Sequence, residues 1–352
     1  MAIANRETIL RRLTDATNGA FDVAAVYIGL RLGLYRALAD NGRATPAELA
    51  ARTSTNERMV REWLEQQAAT ELLLAENVDG AWRFELPADL AAVLLDPDAV
   101  DGMGATVRGQ IGALVALPRI VDSFRTGQGV AYAEYGADMS EGEASSTAPV
   151  YRRELTTWID AVPGLVARLE AGGTVLDVGC GFGGSSIALA RTFPRAHVDG
   201  IDRDEYSIAG AIAQARELGI DDRVRFETRD ATSLAGSAYD AALMLEMLHD
   251  LAHPVEVLRA VRGALAPHGV VIVADELTAD AFTGPADERD RRHYGWSILV
   301  CLPAAMTEPD SAATGAVIRP STVVAYAREA GFSRTEILPI DSDAFRIYAI
   351  WP

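Results

Sequence analysis

The chain contains no lysine; all 32 of its basic residues are arginine. Schiff-base chemistry and pyridoxal-phosphate anchoring both need a lysine amine, so both are excluded. Cysteine is scarce, with only Cys180 and Cys301. Two thiols make neither a disulfide framework nor a structural zinc site of the all-cysteine type. Basic charge falls short of acidic charge, 32 residues against 50, for a net charge of −18. Such a surface repels polyphosphate, which disfavours a nucleic-acid substrate or an anionic membrane partner. Long apolar runs are missing as well. Ile111 to Val121 is interrupted by Pro118 and falls short of the roughly 18 residues that a membrane span needs. Met1 to Arg12 is polar and charged, unlike a signal peptide. These absences together point to a cytoplasmic location, with no nucleic-acid or membrane partner.

With 352 residues, 49% of them hydrophobic and 23% charged, the chain has room for roughly two domains. Its two halves differ in period. Up to about residue 165 the pattern is helical. From about 172 onward, short β-branched runs alternate with helical stretches, as in a parallel sheet with crossover helices. Gly127 to Pro149 is rich in Gly, Ser and acidic residues and reads as a loop. In the first half, Thr45-Pro46-Ala47-Glu48 reads as a helix start. A second helix follows from Ser54-Thr55-Asn56-Glu57, with Val60, Trp63, Leu64 and Gln67 on one face. Asp79-Gly80 then marks a hairpin turn. Two helices and a hairpin make a winged-helix plan. Winged helices often read DNA, but residues 1–100 carry ten arginines against fifteen acids, and a DNA reader needs a basic footprint. A dimerisation or substrate-lid module fits that charge better.

The strongest signal is Thr174-Val175-Leu176-Asp177-Val178-Gly179-Cys180-Gly181-Phe182-Gly183-Gly184. A strand runs into a glycine-rich turn and then a helix. Bare backbone and a helix N-terminus suit close approach of a ligand. The glycine spacing alone also suits dinucleotides. However, Asp177 ends the first strand, Asp202 the second, and Asp230 follows the third. Carboxylates there crowd a pyrophosphate and suit a cationic nucleoside. Asp202 is placed for the two ribose hydroxyls, and Asp230 for the exocyclic amine of an adenine. Ala231 and Glu246, beyond the third and fourth strands, are expected beside the same ligand.

From residue 172 to the end, the chain resembles the class I methyltransferases that use S-adenosylmethionine (SAM). Tyr239–Leu245, Pro254–Ala266 and Val270–Ala274 are similar to the fourth strand, the following helix and the fifth strand. Thr335–Pro339 and Phe345–Trp351 resemble the terminal antiparallel hairpin. A preceding winged helix resembles the small-molecule O-methyltransferase branch, whose N-terminal domain dimerises. The fold implied is α/β: a Rossmann-like SAM-binding domain, plus a mostly helical winged-helix domain. The domains expected are a winged-helix dimerisation domain (1–105), a helical linker and substrate lid (106–170) and the SAM domain (171–352), with a lid insertion at about 279–318. The resemblance implies a SAM-dependent enzyme, a homodimer, and Asp177, Gly179, Gly181, Gly183, Asp202, Asp230, Ala231 and Glu246 as cofactor contacts.

After the fourth strand comes Leu248-His249-Asp250-Leu251. The winged-helix branch carries a similar Leu-His-Asp-aromatic stretch whose His is the general base; here Leu251 replaces the aromatic. A phenol with a pKa near 10 ionises little at neutral pH, so a base that takes its proton is useful. A carboxylate on the far nitrogen fixes the tautomer, and Asp275, ahead of Glu276, is the expected partner. His249 and His253 sit four apart, but Pro254 starts a helix between faces, and no metal site is expected. Tyr135 and Trp158 in one segment, and His293, Tyr294 and Trp296 in another, are candidates to line the acceptor pocket. Arg152, Arg153, Arg291 and Arg292 are candidates for an acceptor carboxylate. The function expected is O-methylation of a phenolic or other hydroxylated metabolite. The alternatives are C-methylation of an aromatic ring or α-ketoacid, a SAM-sensing winged-helix regulator and, last, a nicotinamide oxidoreductase.

Overall fold

The computed structural model describes residues 5–236 and 238–352. They form two compact units. The first comprises residues up to Gly112 together with Glu141–Ser146, and the second Ala113–Ser140 and Thr147–Pro352.

In the first unit, α1 (Arg6–Arg31) begins at Asn5, whose side chain accepts from the Thr8 N–H. After α2 (Leu34–Asn41), α3 (Pro46–Thr53) starts with a reciprocal capping box between Thr45 and Glu48. Asn56 caps α4 (Glu57–Ala69), which buries Val60, Trp63, Leu64 and Gln67, the face that the helical period predicts. The hairpin β1 (Leu74–Val78) and β2 (Ala81–Glu85) turns at Asp79 and Gly80, both at positive φ. A bridge from Ala44 to Phe84 adds a third short strand segment. Then come α5 (Ala88–Leu95) and α6 (Gly104–Val115). Tyr35, Leu38, Leu49, Leu64 and Phe84 form the core.

In the second unit, α7 (Leu117–Thr126) precedes α8 (Ala137–Asp160) and α9 (Leu165–Glu170); of α8, Glu141–Ser146 count with the first unit. α8 corrects the Ala137–Pro149 part of the loop expected at Gly127–Pro149. Its Gly142 is there for close packing, since a Cβ would lie 2.5 Å from the Gly109 nitrogen. Composition alone does not distinguish such a packing glycine from a turn glycine.

Seven strands make one sheet: β3 (Thr174–Val178), β4 (His197–Asp202), β5 (Val224–Thr228), β6 (Tyr239–Leu245), β7 (Leu265–Glu276), β8 (Arg334–Ile337) and β9 (Phe345–Trp351). Their order is β5-β4-β3-β6-β7-β9-β8. The first five are parallel, and β9 runs antiparallel to both β7 and β8. Between them lie α10 (Gly184–Thr192), α11 (Glu205–Glu217), α12 (Pro254–Ala264), α13 (Glu288–Trp296), α14 (Leu302–Ala305) and α15 (Pro320–Glu329). The central strands are buried on both faces, which is why they read as continuous apolar runs. The chain winds outward from β3 to β5, then returns to the other side of β3 with β6 and β7. The β3/β6 gap is therefore the switch point, where open α/β sheets bind ligands at the carboxyl ends of their strands.

Candidate active site

The turn after β3 occupies one side of that switch point. Gly179, Gly181 and Gly183 all have positive φ. At Gly181 an added Cβ would meet nothing within 4 Å, so the backbone there stands open. At Gly183 a Cβ would lie 2.5 Å from the Phe226 ring, so that glycine serves packing against β5.

Asp177 is 1% exposed. One of its oxygens accepts from the Ser185 and Ser186 hydroxyls, each at 2.6 Å. Its carboxylate thus ties β3 to the start of α10. Burial raises its pKa to about 6 against those two hydrogen bonds.

Asp202 is partly exposed at the tip of β4, and its oxygens accept from the Gly181 and Asp204 N–H groups at 2.9 Å. Burial raises its pKa as well. Asp230 is exposed; it accepts from the Thr232 N–H and hydroxyl, and it lies 3.6 Å from Arg203. The hydroxyl bond holds its pKa down. Ala231, beside it, is buried.

Segment 246–251 fills the other side of the switch point. Glu246 has φ +53, a strained conformation for a residue with a side chain. Its carboxylate accepts from the Tyr151 hydroxyl at 3.4 Å. Met247 lies where a Cβ on Gly179 would come within 3.1 Å, so the two loops touch. His249 sits in a short turn, Leu248–Asp250, and is 3% exposed. Its Nδ1 is 2.6 Å from Oδ1 of Asp275, itself 1% exposed at the end of β7. Its Nε2 is 3.3 Å from Asp250 Oδ1, and it is hydrogen-bonded with Cys301. Burial pulls the imidazole pKa down, but the Asp250 and Asp275 carboxylates and the hydrogen bonds lift it well above 6.5. Burial pushes the Asp250 carboxyl and the Cys301 thiol up.

Asp250 and Cys301 extend the site beyond the residues singled out from sequence. Asp250 was adjacent to His249 in the same motif. Cys301 had no sequence signal; it closes a π-helical segment, Ser297–Cys301, of the kind that favours functional sites. Ligand atoms of His249, Asp250 and Cys301 lie within 4.8 Å of one another. His253 caps α12 and faces Glu308 at 3.5 Å, so it shares no helix face with His249.

The acceptor candidates divide. Tyr135 is 1% exposed in the cluster that holds Cys301, and burial raises the pKa of its hydroxyl. His293 is buried with Nδ1 3.2 Å from Glu276. Trp158 is fully buried, stacked edge-on with Tyr151 and Phe345, which is packing. The Tyr294 hydroxyl accepts from Arg319, which also pairs with Asp290; this brace anchors α13. Trp296 packs beside the Tyr135 cluster. Arg152, Arg153, Arg291 and Arg292 are all exposed.

Comparison with known proteins fits this geometry. Residues 169–306 match a methyltransferase domain, and residues 22–95 match an Rv2258c-like winged HTH domain. The 27-O-demethylrifamycin SV methyltransferase of Amycolatopsis mediterranei is 28% identical over 226 residues, 60% of this chain and 82% of that protein. A ubiquinone biosynthesis O-methyltransferase of Pseudomonas paraeruginosa is 32% identical over 189 residues, 51% of this chain and 71% of its own length. In fold, the chain resembles a mitomycin 7-O-methyltransferase, with TM-score 0.76, 21% identity and 98% of both chains covered. It also resembles human N-acetylserotonin methyltransferase in complex with SAM, with TM-score 0.71, 16% identity and 100% and 99% covered.

Proposed function

Because this chain belongs to the SAM-dependent methyltransferases, we propose that it transfers the SAM methyl to a hydroxyl oxygen of a small aromatic metabolite. The reading rests on one observation above all. A buried imidazole, fixed on one nitrogen by Asp275, stands beside an open glycine turn at the switch point.

The residues present suit SAM. Bare backbone at Gly181 admits a nucleoside. A carboxylate offers about four acceptor positions; Asp202 spends one on each of two backbone N–H groups and keeps room for ribose hydroxyls. Asp230 is exposed for the adenine amine. Ala231 and Gly179 lend backbone, and Glu246 stands for the ammonium. Asp177 supports the turn that the others line, rather than meeting the ligand. Phosphate-bearing cofactors are repelled by this ring of acids.

When bound, SAM supplies a methyl group on a cationic sulfur. His249, in its neutral form, takes the acceptor hydroxyl proton as the oxygen becomes the nucleophile. Asp275 holds the tautomer and stabilises the resulting imidazolium. Asp250 adds a second carboxylate to that stabilisation. Tyr135 and His293 line the acceptor space. The enzyme acts as a homodimer, for which the exposed apolar residues of α1 provide a surface.

The test is incubation with SAM carrying a ¹³C methyl and a panel of hydroxylated aromatic acceptors. An O-methyl resonance in the product, with S-adenosylhomocysteine (SAH) released, is expected. A C-methyl resonance would overturn the O-position, and SAH binding without turnover on any acceptor would overturn the enzymatic reading.

A further inference from the structure

Buried polar side-chain atoms almost always find a hydrogen-bond partner, and each one left alone costs folding free energy. Seven such atoms lack one among the described residues. Three belong to the residues around His249, namely the Tyr135 hydroxyl, Asp250 Oδ1 and Asp275 Oδ2, and two are the ring nitrogens of His293, which faces Glu276 next to Asp275 in the chain. They come from four separate chain segments, yet they share one electrostatic neighbourhood. Tyr135 feels Cys301 and Asp250; Asp250 feels Asp275 and Glu276; and Cys301 feels Glu276.

His293 is the least explained of these. It is 7% exposed, and its Nδ1 stands 3.2 Å from Glu276 without hydrogen-bond geometry. Glu276 follows Asp275 directly at the end of β7. Adjacent residues thus carry two imidazole–carboxylate pairs. The first, His249–Asp275, is hydrogen-bonded. The second joins a buried imidazole, His293, to a half-buried carboxylate, Glu276, at 3.2 Å without a hydrogen bond. Two carboxylate oxygens among the orphaned atoms can only accept, so the missing partner must donate. Asp250, Asp275 and Glu276 would repel an anion.

We propose that the acceptor is an uncharged ring bearing two neighbouring hydroxyls, one methylated beside His249 and the other held by the Glu276–His293 pair. This deepens the methyltransferase reading and rests on it. Glu276 orients His293, and His293 binds the second hydroxyl. An acceptor with one hydroxyl leaves that pair unengaged, and one with a carboxylate beside its hydroxyls meets three acids.

The experiment is calorimetry with SAH first, then catechol, phenol or 2,3-dihydroxybenzoate added to the SAH complex. Catechol should bind about tenfold tighter than phenol, the worth of one hydrogen bond to a buried group. It should also bind tighter than 2,3-dihydroxybenzoate. In His293→Phe the catechol advantage should shrink to less than about threefold, with SAH affinity kept as proof of fold. Glu276→Gln serves as a second variant should the first fail to fold, with the same expected loss. Equal binding of catechol and phenol, binding of none of the three, preference for the benzoate, or an undiminished advantage in the variants would each overturn the proposal. Absence of heat with SAH itself would instead bring down the methyltransferase site on which it rests.

Discussion

His249 lies between two carboxylates, and that position sets its chemistry. With Asp275 at 2.6 Å on one nitrogen and Asp250 at 3.3 Å from the other, the imidazolium is favoured despite burial, and the pKa lies well above 6.5. A general base must first be neutral. The rate should therefore climb as pH rises through the raised pKa, placing the rising limb of kcat/KM above pH 6.5. Asp250→Asn removes one of the charges holding the proton on, so its limb should move to lower pH; an unmoved limb would detach Asp250 from the base. His249→Gln should lower kcat by about 10²–10⁴-fold while SAH affinity, read by calorimetry, stays within about threefold. At the cofactor end, Asp202→Ala should weaken SAM by about 10–100-fold, as expected for lost hydrogen bonds to a carboxylate. Asp202→Asn keeps a side chain that can still accept from Gly181, so a large loss there would assign the effect to the charge rather than to the loop brace.

At the scale of elements, the glycine turn shows what the sequence reveals and what it hides. The strand-turn-helix at Thr174–Thr192, the acids at the tips of β4 and beyond β5, the order of the strands after residue 172 and the helix ahead of β7 were all legible. Periodicity and local turn chemistry write them into short stretches. The roles of Asp177 and Gly183 were not. The Ser185 and Ser186 hydroxyls that claim Asp177 lie eight and nine residues away, and the Phe226 ring that forbids a side chain at Gly183 comes from β5. Cys301, similarly, reaches His249 only through the tertiary fold. The helix over 137–160 was masked by glycines and serines that look like a loop until Gly142 is seen against Gly109. Gly183→Ala tests the packing account directly. It places a Cβ 2.5 Å from Phe226 at φ +78, which should cost about 1–3 kcal/mol in urea denaturation. An unaltered midpoint would mean that β5 yields and that the glycine is not needed for packing.

At the scale of the whole molecule, surface charge and exposed apolar area constrain what the winged-helix module does. Both arginines of α4, Arg58 and Arg61, pair with glutamates one turn away on the same helix, so the helix that would enter a DNA groove offers it no unpaired cation. The same unit exposes apolar side chains along α1, Ile9, Leu10, Leu13, Phe21 and Ile28, and Leu32 just beyond it, with Phe21 at 68% exposure. The proposed dimer uses this apolar surface, and a self-complementary interface places each residue in it twice. Burying one such side chain is worth about 2 kcal/mol, so Phe21→Asp, acting at two symmetric positions, should weaken a dimer by at least about 10²–10³-fold. Sedimentation velocity at micromolar protein should then show a dimer for the wild type and a monomer for Phe21→Asp, with SAH affinity preserved. A second apolar surface lies on α7, where Leu117, Ile120, Val121 and Phe124 line a groove of about 390 Å³ with Ile298 and Leu299. It supplies the contrast. If Phe21→Asp remains dimeric while Phe124→Asp dissociates, the dimer is built on α7 and the assignment to α1 is wrong. A wild-type monomer at every concentration would remove the dimer altogether.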